Sequence, residues 1–163
     1  MRSPNWFITT AKGTKQGDFK KEGLVKGQDK WIPLHSLEYG VLVPYDVASG
    51  HSSGKRQHQP FTMHKVPGAS SPQWFQALVN NEVLTTVKVE RYEMLNAKQT
   101  LTFTFELTNC QVLAWNVETL EEAISGEARP SEYLLEEIKL SFQKIEFNYA
   151  PGKTTALDDW MAG

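Results

Sequence analysis

One cysteine, no closely spaced histidine or cysteine pair and no long apolar run set the first limits on what this chain does. Cys110, between Asn109 and Gln111 in a strand-like run, cannot close an internal disulfide, so it reads as a reduced thiol in a protein made in the cytosol. No window approaches the ~20 apolar residues that a membrane span needs. The opening Met1-Arg2-Ser3-Pro4-Asn5-Trp6 leads into a mixed segment and not into an apolar h-region, so no signal peptide is expected. Charge is not lopsided either: 17 basic and 19 acidic residues are spread along the chain and leave a formal −2. That balance favours neither nucleic acid nor membrane insertion.

Motifs that carry chemistry are scarce. His35, His51, His58 and His64 lack the spacing of metal-ligand pairs, and three of them lie in or beside one flexible stretch, so they read as solvated or locally bonded histidines. The acid pairs Glu121-Glu122, Glu136-Glu137 and Asp158-Asp159 could support glycoside hydrolysis only if both members faced one space. Adjacent strand residues face opposite ways, and a charged rim explains all three pairs better. There is no G-x-S-x-G, and Gly54-Lys55 and Gly152-Lys153 lack the upstream glycine of a phosphate loop. Trp6, Phe7 and Trp31 could stack sugars, but at strand positions they fit a core or interface better. No catalytic residue, cofactor or metal is expected.

What is present is material for one domain. With 163 residues, 40% hydrophobic and 11% aromatic, the chain can bury a sizeable core without a staple. Leu101, Phe103, Phe105 and Leu107 alternate with Thr100, Thr102, Thr104 and Glu106, so 99–115 reads as a strand. A second spans 82–94, and Leu95-Asn96-Ala97-Lys98 joins the two as an antiparallel hairpin. Leu37, Tyr39, Val41 and Val43 predict a further strand ended by Pro44, and 6–10 another. Ile138, Leu140 and Phe142 share one parity while Ile145, Phe147 and Tyr149 share the other, which predicts a bulge or bend near Gln143-Lys144. One helix follows Ser70 or Ser71, with Pro72 in its first turn and a stripe of Trp74, Phe75, Leu78 and Val79 to lay over the β core.

Three stretches are expected outside strands: a polar loop at 46–59, an acidic loop at 116–130 and a C-terminal tail at 151–163 beyond a domain of 1–150. The expected class is mainly β, a two-sheet barrel-like core with one flanking α-helix. Unpaired sheet edges in such a fold invite pairing with another chain, and symmetric closure is the orderly way to satisfy them. A monomeric ligand-binding β-sandwich module is the alternative.

The order of features also resembles a known family. Trp31-Ile32 precedes a strand; Ser53-Gly54-Lys55-Arg56-Gln57-His58-Gln59-Pro60 runs into Phe61-Thr62-Met63-His64-Lys65; Ser70-Ser71-Pro72 opens the helix. Leu107-Thr108-Asn109, the run from Glu136 to Glu146, and Gly152-Lys153-Thr154 with Asp158-Asp159-Trp160 complete the pattern. Nearly the whole chain is similar to Hcp, the tube protein of the bacterial type VI secretion system. The resemblance implies a fold related to phage tail tube proteins and a homo-hexameric ring that stacks on copies of itself into a hollow tube. It also implies sheath and spike proteins as partners, small effector proteins as cargo, and export through the type VI system after synthesis in the bacterial cytoplasm. Within that frame Ser49, Gly50, His51, Ser52, Ser53, Gly54, Lys55 and Arg56 are candidates for the ring-to-ring contact, with Glu121 and Glu122 of a neighbouring copy as the acidic counter-surface.

Overall fold

The computed structural model describes residues 5–22, 30–123 and 130–160, the side chains of 121–123 and 130–133 excepted. In chain order the elements are β1 (Trp6–Gly13), β2 (Gly17–Asp18), β3 (Ile32–Leu34), β4 (Ser36–Glu38), β5 (Val41–Leu42), β6 (Gln57–His58), β7 (Phe61–Lys65), α1 (Ser71–Val79), β8 (Leu84–Leu95), β9 (Lys98–Ala123), β10 (Pro130–Ser141), β11 (Lys144–Tyr149) and β12 (Thr154–Asp159). The main sheet runs β2-β1-β8-β9-β10-β7-β4, with β3 on β1 and the β11–β12 pair on β9. It curls into a barrel-like body that does not close.

The β8–β9 hairpin turns where the sequence predicts. Asn96 and Ala97 both take positive φ, 50° and 64°, which is the two-residue turn whose twist matches antiparallel strands. β9 is long because it serves two layers. Its first half pairs with β8 and β11, its second with β10. The layers meet at Asn109 (φ 53°), where the buried positions step from Leu107 to Cys110 and so change parity. The partner strand breaks at the same level, between β10 and β11, as the parity switch after Phe142 requires, and Asn109 Nδ2 donates to Gln143 Oε1 at 2.9 Å across the corner.

Ile8, Val87, Val89 and Leu107 from one layer meet Phe61, Met63, Ile138 and Leu140 from the other. Cys110 is sealed here, and burial pushes its thiol up to about 12, so it is inert to exchange at neutral pH. Helix α1 covers one end, with Trp74 edge-on to Phe19 at 4.7 Å. Its buried face differs from the predicted stripe. Ser71, Trp74 and Ala77 point inward, while Phe75 and Val79 are 45% and 55% exposed. The helix is rotated because Ser71 belongs to a polar cluster beneath it.

That cluster corrects a second expectation, since Glu136 is not on a charged rim. Inward alternation along β7 (Phe61, Met63, Lys65) and β10 (Glu136, Ile138, Leu140) places Lys65 directly opposite Glu136, both fully buried. Lys65 Nζ lies 2.7 Å from Glu136 Oε1 and 2.8 Å from Glu22 Oε1. The remaining lone pairs are filled: Ser71 Oγ donates to Glu136 Oε1 at 2.7 Å and Trp115 Nε1 to Glu136 Oε2 at 2.6 Å. Glu22 Oε2 accepts the backbone N–H and hydroxyl of Ser70, each at 2.5 Å, and thereby caps α1 from another segment. A Cβ on Gly68 would stand 2.6 Å from Glu22 Cδ, so only glycine admits this approach.

Other segments also depart from expectation. The predicted strand through Leu37 and Val43 splits at Gly40: β4 pairs with β7, whereas β5 leaves the main sheet and pairs with β6. The acidic stretch after Asn116 continues β9 to Ala123 and returns as β10 from Pro130, so it is mostly strand and not loop; residues 124–129 lie outside the described residues. Thr154–Asp159 pair along β11.

Replacing Lys65 with Met leaves two carboxylates in the interior without their cation. The expected loss is about 3–5 kcal/mol in denaturant unfolding at fixed chain concentration, and K65M/E136L should recover part of it. A neutral K65M would show that the cluster does not hold the fold.

Candidate functional site

Gly40 and Gln59 mark the root of a projecting arm. Gln59 N donates to Gly40 O at 2.8 Å, β5 and β6 pair Val41 with His58 and Leu42 with Gln57, and Tyr45 bridges Ser52 further out. The tip is closed by Asp46, whose N–H donates to His51 O at 2.8 Å and whose carbonyl accepts from Gly50 N at 2.7 Å. Gly50 (φ 72°) sits in the left-handed region that this return needs. The 46–59 stretch is therefore the tip and returning side of a hairpin, two of its residues being β6.

The arm's composition is unusual for its position. Val41, Leu42, Val43, Tyr45 and Val47 are all large and apolar, and all are exposed, Val47 by 87%. Of the predicted apolar alternation, Leu37 and Tyr39 pack against the core, whereas Val41 and Val43 lie on a surface that the described residues leave open. Contiguous exposed apolar side chains of this kind mark an interaction site. Ser49, Gly50, His51, Ser52, Ser53, Gly54 and Lys55 are exposed along the outer half. Arg56 is held against its own chain instead: its Nε donates to Asp158 Oδ2 at 2.5 Å. Glu121 and Glu122 lie near the end of β9, opposite Glu132 and Ser131 in register, and their side chains are outside the described residues.

The anchor beneath the arm was not legible in the sequence. Asp158 Oδ2 accepts from Arg56 and also meets His58 Nε2 at 2.6 Å, while His58 Nδ1 meets the Tyr39 hydroxyl at 2.6 Å. Nε2–H can donate to Asp158, and the Tyr39 hydroxyl can donate to Nδ1 or accept from it. The ring is packed on three sides, with Tyr39 stacked over it at 6.1 Å, Phe142 at 5.3 Å and Trp160 at 5.1 Å. The Arg56 hydrogen bond, then that of His58, holds the Asp158 carboxyl below its ordinary value against a smaller opposing effect of burial. Burial, helped by the Asp158 charge, raises the Tyr39 phenol. These partners lie about a hundred positions apart along the chain, so spacing carries no signal of them.

The other histidine pair offers little chemistry. His64 Nε2 meets Glu137 Oε2 at 2.9 Å and its Nδ1 lies 3.3 Å from Ser36 Oγ, an order that resembles nucleophile, base and acid. Two shallow depressions of about 330 and 370 Å³ share His64 and Glu137. Their walls carry Glu38, Glu118 and Glu137, with Lys139 in one of them 4.0 Å from Glu137 Oε1. Glu136 and Glu137 face opposite sides of β10, as strand alternation requires, and His35 and His51 are exposed. No group of three metal-ligating side chains occurs among the described residues.

Because the Asp158 pKa is depressed in the folded state, its contribution is present above the unfolded value of ~3.9 and is lost as pH falls through the folded value. The carboxyl-carbon NMR titration of Asp158 should therefore have its midpoint below ~3.9 and move upward in R56Q. An ordinary midpoint that ignores Arg56 would contradict the anchor.

Comparison with known proteins agrees with this architecture. Over 99% of its length the chain is 25% identical to the major exported protein of Pseudomonas aeruginosa, covering 98% of that protein. In fold it is similar to a crystal structure of an Hcp protein (TM-score 0.81, 24% identity, 97% of this chain and 100% of that one). It is also similar to the secreted protein Hcp3 of Pseudomonas aeruginosa (TM-score 0.73, 21% identity, 95% and 99%). Residues 10–149 match the family model described as "Type VI secretion system effector, Hcp", and the chain belongs to that family.

Proposed function

We propose that the protein is the structural subunit of the type VI secretion inner tube: six copies close into a ring, and rings stack into a hollow tube that is exported. The observation that carries this reading is the arm, a hairpin whose apolar side chains stand exposed among the described residues. Such a surface needs a partner, and a repeating assembly of one chain supplies the same partner to every copy. The arm lies at the ring-to-ring contact. Ser49, Gly50, His51, Ser52, Ser53 and Gly54 adapt its tip to the next ring, and Lys55 meets an acidic surface there that includes Glu121 and Glu122. Arg56 serves the arm's own anchor.

Family membership and the exported relative support export as the route. In this reading sheath and spike proteins are the surrounding machinery and small effectors are carried inside the ring. The role is mechanical and not catalytic, and it calls for no cofactor.

Two measurements test this. Light scattering should give a mass near six chains and negative-stain micrographs a six-fold ring; a strict monomer at high concentration would overturn the reading. Replacing 47–54 with two glycines, Arg56 retained, should leave far-UV circular dichroism and ring mass unchanged while tube formation or secretion falls at least tenfold. Unchanged tube formation would remove the arm from the stacking contact.

A further inference from the structure

The arm and the C-terminal strand meet at the Asp158 carboxylate. Asp158, in β12, receives both Arg56 and His58 from the arm's returning strand on one oxygen, Oδ2. Arg56 Nη2 adds a longer contact, 3.5 Å, to the Asp159 carbonyl. Immediately after β12, Trp160 donates its N–H to Gln143 O at 2.9 Å and lays its ring against His58 and Phe142. The outgoing side of the root is tied to the same point, since Tyr39 bonds His58 and packs on Phe142. Contacts from both sides of the arm's root thus converge on this point.

β12 is itself weakly held. It is an edge strand, paired along one side to β11, and Thr154, Thr155, Ala156 and Leu157 are exposed. A short exposed edge strand is the kind of element that opens locally at a small cost compared with global unfolding. The arm is similarly poor in cover, as a two-residue ladder is marginal in water by itself. Two weakly held elements that share charge-assisted contacts must stabilise each other, and the coupling is reciprocal.

We infer that Asp158 is a positioning residue for self-assembly: it latches the arm to β12, so that the arm is presented in its assembly posture only while the C-terminal strand is docked. The consequence for assembly rests on the arm being the ring-to-ring contact; the latch itself does not. Release of β12 frees the arm to swing, and a loose arm reaches the correct geometry on a neighbouring copy in only a fraction of encounters. Affinity for stacking then falls in proportion to that fraction.

The test is Asp158→Asn, which keeps the shape and removes the charge. In unstacked protein, trypsin should cut after Lys55 roughly tenfold faster than in the parent, because proteolysis follows the population of the open form. Amide exchange at β5, β6 and β12 should rise together. The thermal unfolding midpoint should scarcely move, since an ion pair about one-third exposed adds little to global stability; that separates a latch from a general structural role. Asp158→Glu should restore part of the protection. If D158N does not fold, R56Q removes the arm's half of the pair from the surface and is read in the same way, Lys55 remaining the cleavage site.

Unchanged cleavage and exchange in both variants would overturn the latch and leave the ring-stacking reading intact. Faster cleavage with exchange confined to the arm, β12 being unaffected, would overturn the coupling. A loosened arm and β12 with tube formation equal to the parent would uphold the latch and overturn the arm as the stacking contact. A loosened arm with tube formation reduced several-fold is the expected result.

Discussion

The buried contact of Lys65 with Glu136 and Glu22 is the constraint on which the rest of the body depends. An antiparallel pair such as β7 and β10 can slip by two residues without changing which side chains face inward, so apolar packing by itself discriminates poorly between registers. Here a two-residue slip would set Lys65 opposite Leu134 or Ile138 and leave charges buried without partners. The penalty for that is several kcal/mol per ion. The ion pair thus selects one register where oily neighbours would accept several. The same carboxylates reach beyond the sheet: Glu136 takes the indole N–H of Trp115 in β9, and Glu22 caps α1 through Ser70. Three strands or segments and the helix are referred to one ammonium group.

From that register the arm acquires its position. β4 pairs with β7 over only three residues, Ser36 to His64 through Glu38 to Thr62, and the chain leaves the sheet at Gly40 immediately afterwards. Fixing β7 against β10 therefore fixes where the arm begins. The opposite root is set by the corner at Asn109 and Gln143, because Phe142 and Trp160 converge there on His58. A projecting hairpin with little cover of its own is thus aimed by two separate features of the body, one buried and one at the surface.

How much of this can be read from residues alone depends on what each element has to bury. The β8–β9 hairpin was legible because one face is core and the other solvent, so alternation is strict and the turn residues tolerate positive φ. The corner was legible too, since a parity switch has few other causes. Leu37 to Val43 was legible only in part: Leu37 and Tyr39 pack against the core as the alternation suggests, whereas Val41 and Val43 carry the same alternation out into the arm, where they are exposed. The end of β9 was hidden by its glutamates, and Thr154–Asp159 by exposure, since an edge strand with little to bury has no period to show. Helix α1 was placed correctly in sequence but turned to the wrong face, because the pattern counts Phe75 and Val79 as inward and cannot know that Ser71 is wanted below.

The least legible features are the charged ones, for a common reason. Lys65 and Glu136 stand at positions where alternation demands an apolar side chain, and each looks like an error until the other is placed opposite it. Arg56, His58 and Asp158 are ordinary surface residues by any local measure, and their meaning arises only when β12 docks beside the arm. A one-dimensional pattern records a residue's own preference for water or oil. It does not record compensation between residues far apart in sequence, and compensation is what makes a buried charge tolerable or a surface charge directional. In this protein the apolar pattern accounts for the body, whereas its register and the aim of its arm are set by charges that find their partners only in the folded chain.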